Sequence, residues 1–113
     1  SSDVCSSDLE IYPRLSKLGK QFDYVGSQLF RAATSIGANL EESTVAASRR
    51  DMGLKQAVSL REAKESRLWL RHLVRANVMP DVIGPMHQES DELVAMRTTS
   101  VRRLRNPEND DQR

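Results

Sequence analysis

Apolar residues recur along this chain at helical spacing and not at the two-residue alternation of a strand. Leu29, Ala33, Ile36, Leu40 and Ala47 follow i, i+3 and i+4 steps and form one stripe, which predicts a helix over residues 25–47. Ala32, Ala33, Gly37 and Ala38 are small and would let a neighbouring helix come close. Such packing would offset the ~1 kcal/mol that Gly37 costs relative to alanine in a helix. Ser48 is an N-cap candidate for a third helix, with Asp51 three residues on at the positive end of the helix dipole. That helix is predicted to reach Ala76 and stop at Asn77, with Pro80 beyond. On it Leu54, Val58, Trp69, Leu73 and Ala76 share one face, and Met52, Ala63, Leu70 and Val74 form a second apolar strip. A helix so broadly apolar lies at the centre of its bundle, contacts another subunit, or does both.

Asp81 is a cap candidate for a fourth helix, in which Pro85 suits the first turn. Met86, Leu93, Met96 and Leu104 mark its buried side, and Asn106-Pro107 ends it. Ahead of the second helix, Ile11, Leu15 and Leu18 read as the end of a first one, although Pro13 opposes it. Residues 19–23 then read as a connection. The pattern predicts one bundle domain over residues 10–105 and a polar tail without order over 106–113.

With 113 residues there is room for one domain and one modest core. Charged residues make up 29% of the chain and aromatics 4%, a mixture that suits amphipathic helices better than strands. No apolar run approaches the roughly 20 residues of a membrane span, so a cytoplasmic protein without membrane contact is the expectation. The formal charge is +1, but residues 10–105 carry 16 Lys/Arg against 11 Asp/Glu, a net +5. A mildly basic fold permits a polyanionic partner.

Residues 1–9, Ser-Ser-Asp-Val-Cys-Ser-Ser-Asp-Leu, translate AGT TCA GAC GTG TGC TCT TCC GAT CT, the end of a common short-read sequencing adapter. They are therefore set apart from the fold as an adapter-derived leader, and the first helix is expected to be truncated. The only cysteine, Cys5, falls inside the leader, which leaves no thiol for disulfide, metal or redox work.

Two stretches carry a family resemblance. Residues 28–42 contain Ser35, Ile36, Asn39 and Glu42 in the pattern Ser-Ile-x-x-Asn-x-x-Glu, and residues 62–73 contain Glu62 and Glu65 ahead of Trp69 and Leu70. In both, and in order from Tyr12 to Leu104, the chain resembles the 23S rRNA-intervening sequence ("four helix bundle") protein family. It departs from that family where the first-helix sequence is missing. The resemblance implies an all-α, antiparallel up-down four-helix bundle that assembles into a ring-like homo-oligomer, commonly a pentamer. A related branch, the accessory protein of diversity-generating retroelements, binds nucleic acid and a reverse transcriptase. The resemblance thus implies those partners and supplies no catalytic residues and no cofactor.

The candidate residues fall into three sets. Ser35, Asn39 and Glu42 border the apolar stripe of the second helix, and Glu62 and Glu65 sit in the apolar sector of the third. Buried carboxylates need partners, so these five read as a structural polar network closed by Arg31 or Arg61. A metal reading fails because neither His72 nor His87 follows a glutamate at the i+3 spacing of di-metal bundles. Lys64, Arg67, Arg71 and Arg75 share a face of the third helix, Arg102, Arg103 and Arg105 cluster at the end of the fourth, and Arg49 and Arg50 precede the third. These nine are candidate phosphate contacts, weighed against a solvated face with favourable dipole placement. No aromatic residue interleaves with them in a way that would stack bases, so contact would be to the backbone and not to sequence. Ala63, Leu70 and Val74 are candidate subunit-interface positions. The reading is a non-enzymatic, oligomeric, nucleic-acid-associated accessory factor, with a protein-interaction scaffold as the alternative.

Overall fold

The computed structural model describes the backbone of residues 2–106 and the side chains of residues 7–106. Four helices follow one another: α1 Ser2–Ser16, α2 Lys20–Thr44, α3 Arg49–Arg75 and α4 Pro80–Arg105. The described residues contain no strand. Each connection has three or four residues, too short for anything but an antiparallel neighbour, so the chain runs up-down-up-down. Each helix packs on the next, and α1 closes the circuit against α4 through a much smaller contact. The bundle measures 49 × 23 × 19 Å.

Local chemistry explains the helix ends and where they depart from the pattern reading. The 19–23 connection shrinks to 17–19, because Gly19 alone turns the chain at φ 129° and α2 starts at Lys20. Ser16 donates to Asp23 across that turn at 2.8 Å, while Phe22 and Val25 already pack on the core. At its far end α2 stops at Thr44, not at 47. The hydroxyls of Ser43 and Thr44 bond the carbonyls of Leu40 and Glu41, and Val45 is 81% exposed, so nothing apolar extends the helix. α3 starts as expected, with the Asp51 amide donating to the Ser48 hydroxyl at 3.1 Å. α4 starts one residue before Asp81, at Pro80, behind Met79 in left-handed conformation. Pro85 therefore sits inside α4, beyond the first turn expected for it, and is exposed.

Two buried clusters form the core. The larger joins Ile11 and Leu15 of α1, Leu29 of α2, Leu70 and Leu73 of α3, and Val78, Ile83 and Met86. The smaller holds Ile36, Ala63, Leu93 and Val94, with Leu40 and Leu60 beside it. Close approach occurs at Gly26 and not at Gly37. A Cβ on Gly26 would lie 2.6 Å from Cδ1 of Tyr12 and 3.3 Å from Cβ of Leu15, whereas one on Gly37 would meet nothing within 4 Å. Met96, predicted to be buried, is 49% exposed, and Leu104 is half-buried.

The largest correction concerns α3. Its buried face is Ser59, Glu62, Ala63, Ser66, Leu70 and Leu73, which lies between the two predicted apolar strips. Leu54 and Val74, at the outer margins of those strips, are 56% and 44% exposed. Ala63 and Leu70, proposed for a subunit interface, are 1% and 0% exposed within this single chain and serve its own core; only Val74 of that trio is at the surface.

Candidate nucleic-acid interface

The polar residues singled out in α2 and α3 divide into three separate arrangements. Asn39 donates to the Ser35 carbonyl at 2.8 Å and to its hydroxyl at 3.3 Å, a local contact within α2. Glu42 pairs with Lys55 at 2.7 Å across α2 and α3. Arg31 pairs with Glu62 at 3.1 Å and also with Glu65, so one guanidinium holds both carboxylates. Ser59 and Ser66 line the same seam: Ser59 donates to the Ile36 carbonyl at 3.3 Å, and Ser66 donates to Asp8 at 2.8 Å. Burial raises the Asp8 carboxyl from 3.8 to about 6, with Glu89 adding to the rise and the Ser66 hydrogen bond opposing it. Trp69 packs edge-on to Tyr24 and His72 with centroids 5.8 and 5.9 Å away. Among the described residues no cluster of three or more His, Cys, Asp or Glu is placed to hold a metal ion.

The basic residues are distributed differently from the expected set. Arg61, read as a partner for buried carboxylates, is exposed, because Arg31 takes that role. Arg67 turns into the α3–α4 seam and pairs with Asp91 at 3.5 Å. Arg49 donates to the Arg103 carbonyl at 3.3 Å, covering the end of α4. At about 100° per residue, Arg50, Arg61, Lys64, Leu68, Arg71, His72 and Arg75 lie opposite the buried face of α3. The acidic residues of α3, Asp51, Glu62 and Glu65, all fall outside that arc. Among the described residues, Arg50, Arg61, Lys64, Arg71 and Arg75 make no ion pair, and all but the half-buried Arg71 are exposed. The result is an acid-free basic ridge that runs about 38 Å, from residue 50 to 75 at about 1.5 Å per residue.

The antiparallel packing places the end of α4 beside the start of this ridge. Arg102 and Arg105 share a cleft with Leu60, Lys64, Val101 and Asn106. Arg105 also lines a second cleft with Arg49, Arg50, Leu54 and Leu104. No acidic side chain occurs in α4 after Glu92. Sequence reading missed Arg61, although the 100° projection used for the other α3 cations would have placed it among them.

The sequence that folds in this way is matched by a family model. It covers residues 5–99 and is described as 23S rRNA-intervening sequence protein. The chain belongs to the 23S rRNA-intervening sequence protein family. The match to this family begins at residue 5, inside the stretch 1–9 expected to lie outside the fold, and ends before the last turns of α4. Among solved structures, this family member is similar to a protein with unknown function from the S23 ribosomal protein family of Bacteroides thetaiotaomicron VPI-5482. The two share 28% identity at a TM-score of 0.65, over 88% of this chain and 95% of that one. A search of curated proteins finds no match. Among the described residues no helix is long and apolar enough to cross a membrane.

Proposed function

We propose that this chain is a non-catalytic, homo-oligomeric bundle that associates with RNA or DNA through the α3 ridge and the arginines at the end of α4. The observation that carries the reading is the acid-free ridge: five cations on one outer face, unpaired by any described carboxylate and bordered by Arg102 and Arg105. A solvated face with no task would be expected to interleave both signs, as α3 does outside the ridge, where Lys55 and Arg67 alternate with Asp51, Glu62 and Glu65. A ring of subunits repeats the ridge once per copy and strengthens its field. The ridge offers guanidinium and ammonium groups with no exposed Phe, Tyr or Trp among them, so it reads phosphates and not bases.

Fluorescence anisotropy with a labelled 20-nucleotide RNA and a 20-base-pair DNA, at 50 and 200 mM NaCl, tests this. Engagement of all five ridge cations gives a log–log salt slope of about −4 to −5 on duplex, so affinity falls by roughly 10²- to 10³-fold between the two salts. Arg71→Glu with Arg75→Glu weakens binding to every sequence alike. Absence of affinity at 50 mM NaCl defeats the reading and leaves a protein-interaction scaffold in its place. Light scattering tests the oligomer, which a monomer at all concentrations would refute.

A further inference from the structure

Where α3 begins, the surface of the ridge changes from a bare row of cations to a cleft with an apolar lining. Arg49 and Arg50 of α3 and Arg105 of α4 border an open space of about 380 Å³, within the range of about 300–1,000 Å³ usual for small-molecule sites. The rest of the lining is Gly53, Leu54 and Ala57 of α3 and Leu104 of α4. Among the described residues no acidic side chain lines it. Gly53 leaves backbone as part of the floor, and a Cβ there would meet only Cβ of Leu104, at 3.9 Å. Arg49 donates to the Arg103 carbonyl at 3.3 Å, which holds its guanidinium against the end of α4. At about 100° per residue, Gly53, Leu54 and Ala57 lie on the same face of α3 as Arg50, Arg61 and Lys64, so the cleft continues the ridge. On its far side the cations stop. Residues 45–48 read Val-Ala-Ala-Ser, and the nearest charges before them are Glu41 and Glu42. A strand laid along the ridge finds no further phosphate contact beyond the cleft, so its end belongs there.

We infer that this cleft is a phosphomonoester site that takes the phosphorylated end of a nucleic-acid strand. Arg49, Arg50 and Arg105 hold the terminal phosphate, and the nucleoside that carries it lies against Gly53, Leu54, Ala57 and Leu104. The inference rests on the nucleic-acid reading given above and adds to it a choice of strand end. A phosphomonoester carries a charge of about −1.5 to −2 at pH 7 and three strong acceptor oxygens, whereas each internal phosphate of a strand carries a single charge. Guanidinium groups bind such oxygens through paired, charge-assisted hydrogen bonds, so three of them around one cleft favour the terminal group. The apolar lining offers no donor or acceptor to base edges. The site therefore selects an end and not a sequence.

The test uses three versions of one internally labelled 20-nucleotide RNA, ending in a 5′-phosphate, in a 3′-phosphate, or in hydroxyls at both ends. By fluorescence anisotropy at 50 mM NaCl, one phosphorylated RNA is expected to bind the full chain about tenfold tighter than the hydroxyl RNA. Which of the two does so gives the polarity of the strand on the ridge. Arg50→Gln with Arg105→Gln, both exposed in the parent, should bring the ratio to about one. Arg71→Gln with Arg75→Gln, about 30 Å away along α3, should weaken all three RNAs and keep the ratio. Equal affinity of the parent for the three RNAs overturns the inference, and so does a preference that survives Arg50→Gln with Arg105→Gln. Uridine 5′-monophosphate separates the cleft from the ridge. Amide resonances of Gly53, Ala57 and Leu104 are expected to shift with it and not with uridine at the same concentration. Those shifts without affinity for any RNA support the phosphate site and count against the nucleic-acid reading alone. RNA affinity with neither end preference nor shifts does the reverse.

Discussion

Two glycines of α2 make opposite demands on the chain. Gly26 lies where Tyr12 and Leu15 of α1 press against α2, and a methyl group there would sit 2.6 Å from the Tyr12 ring. Gly26→Ala is expected to destabilise by about 1–3 kcal/mol, the usual range for overpacking a tight contact. Gly37 has open space where its Cβ would be, so Gly37→Ala should gain about 0.5–1 kcal/mol from helix propensity alone. Urea denaturation of both variants checks the pair, and the same sign of change for both would contradict the packing described. Asp8 is the other residue whose surroundings set a measurable cost. It is 2% exposed, and its Oδ1 has no hydrogen-bond partner. Its carboxyl is raised from 3.8 to about 6, first by burial. Because the folded state holds this proton more tightly, its contribution to stability is fully present below pH 3.8. It is lost as pH rises through about 6. The gap corresponds to about 3 kcal/mol. Asp8→Asn, which stays neutral, should therefore be more stable than the parent at pH 7.5 and nearly equal to it at pH 3.5. An equal difference at both pH values would remove Asp8 from the pH dependence.

Between elements, the α2–α3 seam depends on Arg31, the single cation that meets both Glu62 and Glu65. The Glu62 side chain is only 11% exposed, while Arg31 is 46% exposed, so solvent screens the pair from one side. Arg31→Ala leaves a nearly buried carboxylate without its counter-charge and is expected to cost about 1–2 kcal/mol, less than a fully buried pair would. Adding Glu62→Gln should recover part of that loss, and a double-mutant cycle by urea denaturation measures it. The same seam shows what a hydrophobic pattern can and cannot convey. The fold class, the α3 cap at Ser48 and the existence of four helices follow from apolar periodicity and cap chemistry, which are local. The orientation of α3 does not. Its buried centre is Ser59, Glu62 and Ser66, made acceptable by the Ile36 carbonyl, Arg31 and Asp8 from other helices. A periodicity reading places Glu62 in the apolar sector but leaves Ser59 and Ser66 out of it, and so assigns Ala63 and Leu70 to an outside contact. The basic ridge is half legible for a related reason: the sequence leaves Arg31 and Arg61 both open as partners of the carboxylates, and only the α2–α3 contact gives that role to Arg31 and leaves Arg61 on the outer face.

At the scale of the whole molecule, helix lengths are unequal. At about 1.5 Å per residue, α1 runs about 22 Å and α3 about 40 Å, so α1 accompanies the others only part-way. Among its described side chains, Asp8 sits at the level of Ser66 and Glu89. On the α1 side lies the larger core, with Leu15, Leu29, Leu70 and Ile83 at 0% exposure. Beyond it the smaller cluster of Ile36, Ala63, Leu93 and Val94 holds together α2, α3 and α4. Fewer buried apolar contacts mean a lower free energy of local opening. In a protein shown to be monomeric by sizing, amides of residues 40–44 and 52–58 should therefore exchange faster than those of residues 29–33 and 70–73, by roughly 10- to 100-fold. Assembly changes the expected result. If subunits meet at this end of the bundle, where Leu54 is exposed, protection of residues 52–58 rises with protein concentration while that of residues 70–73 stays constant. Uniform exchange across both halves at the lowest concentration would show that the two cores open as one unit, and that the short α1 carries no energetic consequence.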